Sequence, residues 1–446
     1  MVRTGGKAER RARGGFLSRA AAFLIALFSF SAAYGQSAPK PPDRAVFNSK
    51  VGPLTETIAR EEGDPRPKTT DGALQFLDWL IYGNLSVGGV YDSNVFAAPN
   101  SPAVSGTRFQ PSIVAERNTG IQRTLLYGVG DIRYYPSIGR TDVVNTTAGL
   151  THLWEIERDF LFRAQAEATR GLESSSLNGA LAAPGASYTE PVNYTSLFSS
   201  TSIEKGFGRF FAGVGGSIND TTYDNTKDNL GNTVNEQYRN GTRATLNGRI
   251  GYHLTPITYT FVEPSLNWGR FNGSNLNSDG FQLIGGLGTE RISLFNGEVY
   301  GGFINEHFSD PATPTLTRGI YGGRISWFPT RFVTVTASVD QSLGTSDFSP
   351  NLFAPGSVTM LDTEKVSATW SMTRQVDVEG RVLFRQYDYL DSFRRDNSTE
   401  LGMALTYKFT PRLGIVLDYS HVNLSSNLPG AGYSRDFVSV SGKTQF

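Results

Sequence analysis

The 446-residue chain contains no cysteine, so disulfides cannot staple it and no lipid-modified N-terminal cysteine is available. It also has no run of eighteen apolar residues, which excludes a helical membrane span. Histidine is scarce: His152, His253, His307 and His421 stand singly, without H-x-x-x-H spacing, and no metal centre or cofactor is expected. His152 beside Thr151 and His421 beside Ser420 are the nearest approach to a nucleophile and base. Serine and threonine are too common here for that to be specific, and the chain is not expected to be an enzyme. An excess of positive charge is missing as well. The formal net charge is zero, and removal of a leader with six basic residues and one acid leaves 35 Lys and Arg against 40 Asp and Glu. Such a balance gives no nucleic-acid footprint.

Glycine is abundant, at 49 residues, and aromatics make up 12%, yet the mean hydropathy is −0.27. A soluble all-β protein or a transmembrane barrel remains, because a barrel confines its apolar residues to every second position. Lys7, Arg10, Arg11, Arg13 and Arg19 precede an apolar run from Ala20 to Phe30 and small residues through Gly35, which predicts a cleaved signal peptide over residues 1 to 35. Residues 36 to 82 carry Pro39, Pro41, Pro42, Pro53, Pro65 and Pro67 in a charged stretch. This reads as an extended periplasmic tail with at most one or two helical turns around Gly72 to Ile81, too short for a globular plug.

From residue 83 to 446 the period is two. Phe160, Phe162, Ala164, Ala166 and Ala168 alternate with Leu161, Arg163, Gln165, Glu167 and Thr169; Leu401, Met403, Leu405, Tyr407 and Phe409 oppose Glu400, Gly402, Ala404, Thr406 and Lys408. Val333, Val335, Ala337 and Val339, like Leu413, Ile415, Leu417 and Tyr419, repeat the pattern. One face suits lipid and the other water. A sandwich would also alternate, so the turns decide. Short breaks follow Trp154, Tyr252, Trp327, Trp370 and Tyr407, while long polar connections over residues 172 to 191, 221 to 236 and 343 to 361 lie at the other end. An aromatic girdle beside short turns, opposite long loops, belongs to a membrane barrel. The count gives an all-β, transmembrane antiparallel barrel of about eighteen strands, with sixteen as the fallback. Two strands are poorly marked: Val192 to Ile203, and the region of Pro264, where a bulge is expected to shift the outward set from Ile257, Tyr259 and Phe261 to Leu266 and Trp268. The glycine-rich segments Gly213 to Gly216 and Gly285 to Gly288 lie inside strands, where they give curvature or room rather than a phosphate cradle.

The last strand, Tyr433 to Phe446, ends on an aromatic. It resembles the ending of bacterial outer-membrane barrels, in which the barrel assembly machinery reads a terminal Phe; Phe446 is the candidate assembly signal. The inward parity carries Arg163, Glu167, Arg243, Arg249, Glu298, Arg324, Glu379, Arg381, Arg385, Glu400 and Asp418 as lumen-lining candidates. Mixed charges in a confined channel select or guide polar solutes, although a plain solvated wall with no particular partner is the more ordinary explanation. Arg381, Arg385, Tyr387 and Tyr389 share one parity and would make a track for sugars, or the two tyrosines would belong to the outer rim.

The opening strand, Leu85-Ser86-Val87-Gly88-Gly89-Val90-Tyr91-Asp92-Ser93-Asn94-Val95-Phe96, followed by the strand from Phe109 to Glu116, resembles the start of the putative β-barrel porin 2 family. There the turn usually reads Tyr-Asp-Asp-Asn-Val-Phe, so Ser93 departs from the pattern. The resemblance extends over residues 83 to 446 and implies an outer-membrane barrel of a kind commonly tied to exopolysaccharide or capsule export; it carries over no site residues. Read from chemistry alone, Asp92 and Asn94 cap the turn at a strand exit. The expectation is a porin-like channel in the bacterial outer membrane, set in lipid, passing polar solutes or polysaccharide, with its N-terminal tail in the periplasm. The alternative is a structural or surface-binding barrel with an occluded lumen. Inward folding of the loops at 172 to 191 and 343 to 361 would favour the alternative.

Overall fold

The computed structural model describes residues 73–445 except 96, 98–100, 138–142, 173–191, 228–230, 293, 312, 347–356 and 391. The expected signal peptide, most of the tail and the assembly-signal residue Phe446 lie outside the described residues. Eighteen long strands form one antiparallel sheet. They are β1 (Trp79–Asp92), β2 (Val104–Asn118), β3 (Gln122–Tyr134), β4 (Val143–Glu157), β5 (Phe160–Leu172) and β6 (Asn193–Phe207). Next come β7 (Phe210–Tyr223), β8 (Gly241–Thr255), β9 (Thr258–Phe271), β10 (Ser278–Ile292), β11 (Phe295–Phe308) and β12 (Leu316–Thr330). The last six are β13 (Val333–Ser346), β14 (Ser357–Ser371), β15 (Val376–Tyr389), β16 (Arg395–Lys408), β17 (Leu413–Ser426) and β18 (Tyr433–Gln445).

Each strand pairs with its neighbours in sequence, and β18 closes the cylinder on β1 from Asn84↔Gln445 to Asp92↔Phe437. The even count, the short turns at one end and the long connections at the other are those of an outer-membrane barrel. Both ends of the described chain lie at the short-turn end. Large apolar residues of the outer parity are exposed, among them Ile113, Leu150, Val214, Ile250, Leu287, Leu401 and Leu417, because nothing but lipid would cover them. Trp327 stacks on Phe295 at 6.1 Å and Tyr407 meets Phe409 edge-on at 5.3 Å beside their short turns, forming part of the girdle.

Three expectations are corrected. No helical turn forms over residues 72 to 81 in the described part; Leu74–Phe76 folds back on Trp79 to Ile81 as a hairpin, and the first barrel strand starts at Trp79. No bulge forms at Pro264. The β9–β10 register runs unbroken from Thr258↔Thr289 to Gly269↔Ser278, and Val262, Leu266 and Trp268 are exposed on one constant parity. Register shifts among the described pairs of β8–β9, β10–β11 and β12–β13 sit instead beside the short turns. Tyr259 and Phe261 consequently face inward, at 1% and 2% exposure. The inward glycines leave room for them: a Cβ at Gly288 would lie 2.1 Å from the Tyr259 ring, and one at Gly286 would lie 2.6 Å from Phe261. The weak alternation of β6 also has a cause, since its outer parity alternates Leu197 and Ile203 with Ser199 and Thr201.

Candidate functional site

The Tyr-Asp-Ser-Asn segment at the end of β1 does more than cap its own turn. Asp92 is fully buried and accepts a 2.9 Å hydrogen bond from Arg435 Nε, with a second, shorter one from Nη2. The Asn94 N–H donates back to Asp92 Oδ1 at 3.1 Å, which fixes the turn, and Asn94 Nδ2 donates to the Ser434 carbonyl at 2.9 Å. Ser93 N donates to the Asp436 carbonyl at 2.9 Å, and Asp436 N donates to Ser93 Oγ at 2.7 Å. Three consecutive positions, Asp92, Ser93 and Asn94, thus clasp the first strand to the last at the long-loop rim. Serine suffices at position 93 because its hydroxyl oxygen is the acceptor required there.

Below this clasp an ion chain lines the inner wall. Arg108 donates to Asp131 Oδ1 at 2.9 Å, to Asp418 Oδ2 at 2.9 Å and to Ser439 Oγ at 2.9 Å, and Arg133 bonds the same Asp131 at 2.5 Å. Phe437 lies under both guanidinium groups, at 4.4 Å from Arg133 and 5.3 Å from Arg108. Asp418 was expected on the lumen wall and Asp92 only as a cap of its own turn; Arg108, Asp131, Arg133, Arg435 and Phe437 were not singled out. Their inward parity was readable, for example from Phe109 beside Arg108, but their convergence was not.

A second cluster gathers Arg249 with Glu263 at 3.6 Å and with Glu298, while the guanidinium lies 3.7 Å from the Phe261 ring. Tyr259 Oη donates to Glu298 at 3.1 Å. Arg381 pairs with Glu400, and Arg385 lies 3.8 Å from the same carboxylate. Tyr127 Oη donates to Glu167 at 2.5 Å. Arg163 faces inward opposite Ser202, Glu379 shares the inward parity of Arg381, and Arg243 stacks 5.3 Å over Phe271. Arg324, inward and exposed, makes no ion pair among the described residues. Arg249, Glu298, Arg381, Arg385, Glu400 and Asp418 are thus neutralised on the wall, while Arg324 stands as an exposed inward cation.

Tyr387 and Tyr389 are inward and buried rather than on the outer rim. Tyr389 Oη donates to Asp396 at 3.1 Å, and Arg394 lies 4.6 Å over its ring. Neither ring offers a free face in this conformation. Thr151 and Ser420 point inward while His152 and His421 point outward, as neighbours on a strand must. Neither imagined pair meets.

The wall is not closed along its whole height. β12 and β13 pair from Thr330↔Val333 only up to Gly323↔Val339. Above that point β13 stays paired with β14 as far as Ser346↔Ser357, and β12 stays paired with β11 as far as Glu306↔Leu316. Gln341 bridges the gap, accepting from Tyr321 N at 3.1 Å and donating to Asp362 Oδ1 at 2.9 Å. Leu343 and Met360 lie on the outward parity, yet Met360 is 2% exposed and joins an apolar cluster with the inward Phe211, Tyr259, Phe261, Ile284, Ile304 and Ile320, against which Leu343 packs. Arg318, inward on β12, reaches Asp362 at 3.3 Å and Asp388 at 3.5 Å, both on outward parity. Val358, Thr359 and Met360 are buried in succession, so β14 is covered on both faces. An outer face can meet an inner face only where a wall overlaps itself. The upper ends of β13, β14 and β15 are therefore curled inside the rim formed by β8 to β12. Of the two loops expected to report on the lumen, 173–191 lies outside the described residues, and the described stems of the other, 343–346 and 357–361, fold inward.

A family model described as putative beta-barrel porin 2 matches residues 76–446. No curated protein matches the sequence. Among solved structures, a mutant ferric enterobactin receptor from Pseudomonas aeruginosa is similar at 9% identity, covering 82% of this chain and 80% of that one, with a TM-score of 0.41. An anion-selective porin from Comamonas acidovorans is similar at 10% identity, 82% and 99% coverage and a TM-score of 0.34. OpdK of Pseudomonas aeruginosa, solved with vanillate, is similar at 10% identity, 82% and 99% coverage and a TM-score of 0.40.

Proposed function

Because the chain belongs to the putative β-barrel porin 2 family, we propose that this porin-like outer-membrane barrel is a narrow passive channel for polar solutes. The observation that carries the reading is the lumen wall itself. Its inner parity holds charges of both signs at several levels, from Asp418 and Arg108 to Arg249, Glu298, Arg381 and Glu400, and an exposed Arg324. Charged rings and patches of this kind tune which solutes enter a barrel. Export of exopolysaccharide, the cargo that the family resemblance implies, is the finer form of the proposal. In that form the N-terminal tail lies in the periplasm and Phe446 serves barrel assembly. The buried Tyr387 and Tyr389 would contact a sugar chain only after Arg394 moved from the Tyr389 ring.

The curled β13–β14–β15 corner favours a second reading, a structural or surface-binding barrel with an occluded lumen. Single-channel recording on the reconstituted protein separates the two. Discrete conductance steps support the channel, and their absence from a correctly folded, heat-modifiable preparation moves the reading to the occluded barrel. Arg324→Glu is expected to shift the reversal potential in a salt gradient toward cation selectivity with little loss of folded protein, since a lumen substitution mainly tunes selectivity. Exchange of Arg381 and Arg385 for glutamate is a poorer test, because it would set two further carboxylates beside Glu400 and disturb folding. An unchanged reversal potential in the Arg324 variant would remove that residue from the ion path.

A further inference from the structure

The upper corner formed by β13, β14 and β15 has two seats available to it, and we propose that it is a gate which moves between them. In the seat seen here it laps inside β12 and narrows the lumen. In the other, the free edges of β12 and β13 pair to the rim and the cylinder is complete. This regulates the channel proposed above and rests on that reading for its effect on current.

Continuing the register that ends at Gly323↔Val339 would set Tyr321 opposite Gln341, Gly319 opposite Leu343 and Thr317 opposite Thr345. The edges are thus already antiparallel and in phase, and no strand need slip to join them. Leu343 and Met360 are compatible with both seats. Lapped, they are buried in the interior cluster; edge-paired, they would face the lipid side, where apolar residues of the same parity already lie lower on β13. Gly322 and Gly323 stand where the strands part, so no side chain braces β12 there.

The lapped seat is held by partly exposed ion pairs of Arg318 with Asp362 and Asp388, and by the Gln341 bridge. It ends the β12–β13 ladder at Gly323↔Val339, and polar groups beneath it are incompletely satisfied. Arg243 Nη2 is buried without a hydrogen bond among the described residues, and the buried Glu306 carboxylate has the Ser278 hydroxyl as its side-chain partner, with no cation bonded to it there. They sit on the inner face of β8, β10 and β11, beside the apolar cluster of Leu276, Phe308 and Val358 on which the corner rests. Burying such incompletely satisfied charged groups opposes the lapped seat, and water reaching them favours the other. Contacts of moderate strength on one side and unmet hydrogen bonds on the other are what keep two arrangements close in free energy.

The chain lacks cysteine, so a pair can be introduced without competition. In the lapped seat Leu343 packs inside the barrel while Gly319 is on the outer parity of β12, so thiols at these positions lie on opposite sides of that strand. Edge-paired, they would be direct neighbours on one face, within disulfide range. The full-length Gly319→Cys, Leu343→Cys variant, folded and reconstituted, is expected to form the disulfide on oxidation. Conductance should then rise by about twofold or more and fall back on reduction. Arg318→Ala added to this pair should speed the crosslink. The control is Ser326→Cys with Thr336→Cys, whose native hydroxyls lie 3.2 Å apart below the split; it should crosslink without changing conductance. The proposal is overturned if the control pair crosslinks and the upper pair stays reduced with and without Arg318→Ala, or if the upper pair crosslinks and conductance does not change. A crosslink on the gel with no current in any variant, the native protein included, keeps the two seats and overturns the channel reading instead.

Discussion

Replacing Arg435 with alanine is expected to destabilise the folded barrel by about 3 to 5 kcal/mol, because it strips the partner from a buried carboxylate. Asp92 is fully buried, and the Arg435 side chain is 10% exposed, so water cannot take over the lost bonds. The damage falls at the seam between first and last strands, the one junction whose partners are not also neighbours in sequence. Denaturant unfolding of the reconstituted protein, followed by its heat-modifiable band, measures the cost. Arg270→Ala is the comparison: its pair with Asp279 is 54% exposed on both sides, and an exposed pair contributes about 0.2 to 1 kcal/mol. Equal costs for the two substitutions would show that the clasp does not hold the seam. Exchange of both Asp92 and Arg435 for apolar residues should recover much of the loss, since it is the unpaired buried charge that is unfavourable.

The second large effect is on the lipid face. Leu405 lies opposite Leu417 on the outer parity, with Tyr407 toward the short turns and Tyr419 toward the rim, so the pair sits near the middle of the apolar band. Leu405→Arg is expected to cost about 2 to 4 kcal/mol, the depth-dependent penalty for a cation at mid-membrane. Thr406→Arg places the same side chain on the inner face, opposite Asp377 of β15, and should cost little. Unfolding in lipid vesicles gives both numbers. Similar losses for the two would mean that the alternation of β16 does not separate lipid from lumen.

The eighteen strands were legible because their cause is local. Alternation follows from the backbone, and each short turn carries its own break, such as Thr330 after Trp327 or Pro411 after Tyr407. Tyr259 and Phe261 were misplaced because a lipid face and a packed lumen both accept aromatic rings, and parity alone does not say which. The inner glycines, Arg249 and Glu298 decide it, and they come from other strands. Some lumen charges, Asp418 among them, were found one by one, but not their partners: Arg108 meets Asp418 across 310 residues, and Asp92 meets Arg435 across 343. Barrel closure alone brings such groups together. The lapped corner lies furthest from the sequence, since Leu343 and Met360 keep the same alternation in either seat. Sequence by itself determined the strands, their alternation and the end that bears the short turns, each set by residues a few positions apart. Only the tertiary structure decided which charges neutralise one another, where the first and last strands lock and how far the wall closes, because those depend on contacts between segments that the chain order keeps apart.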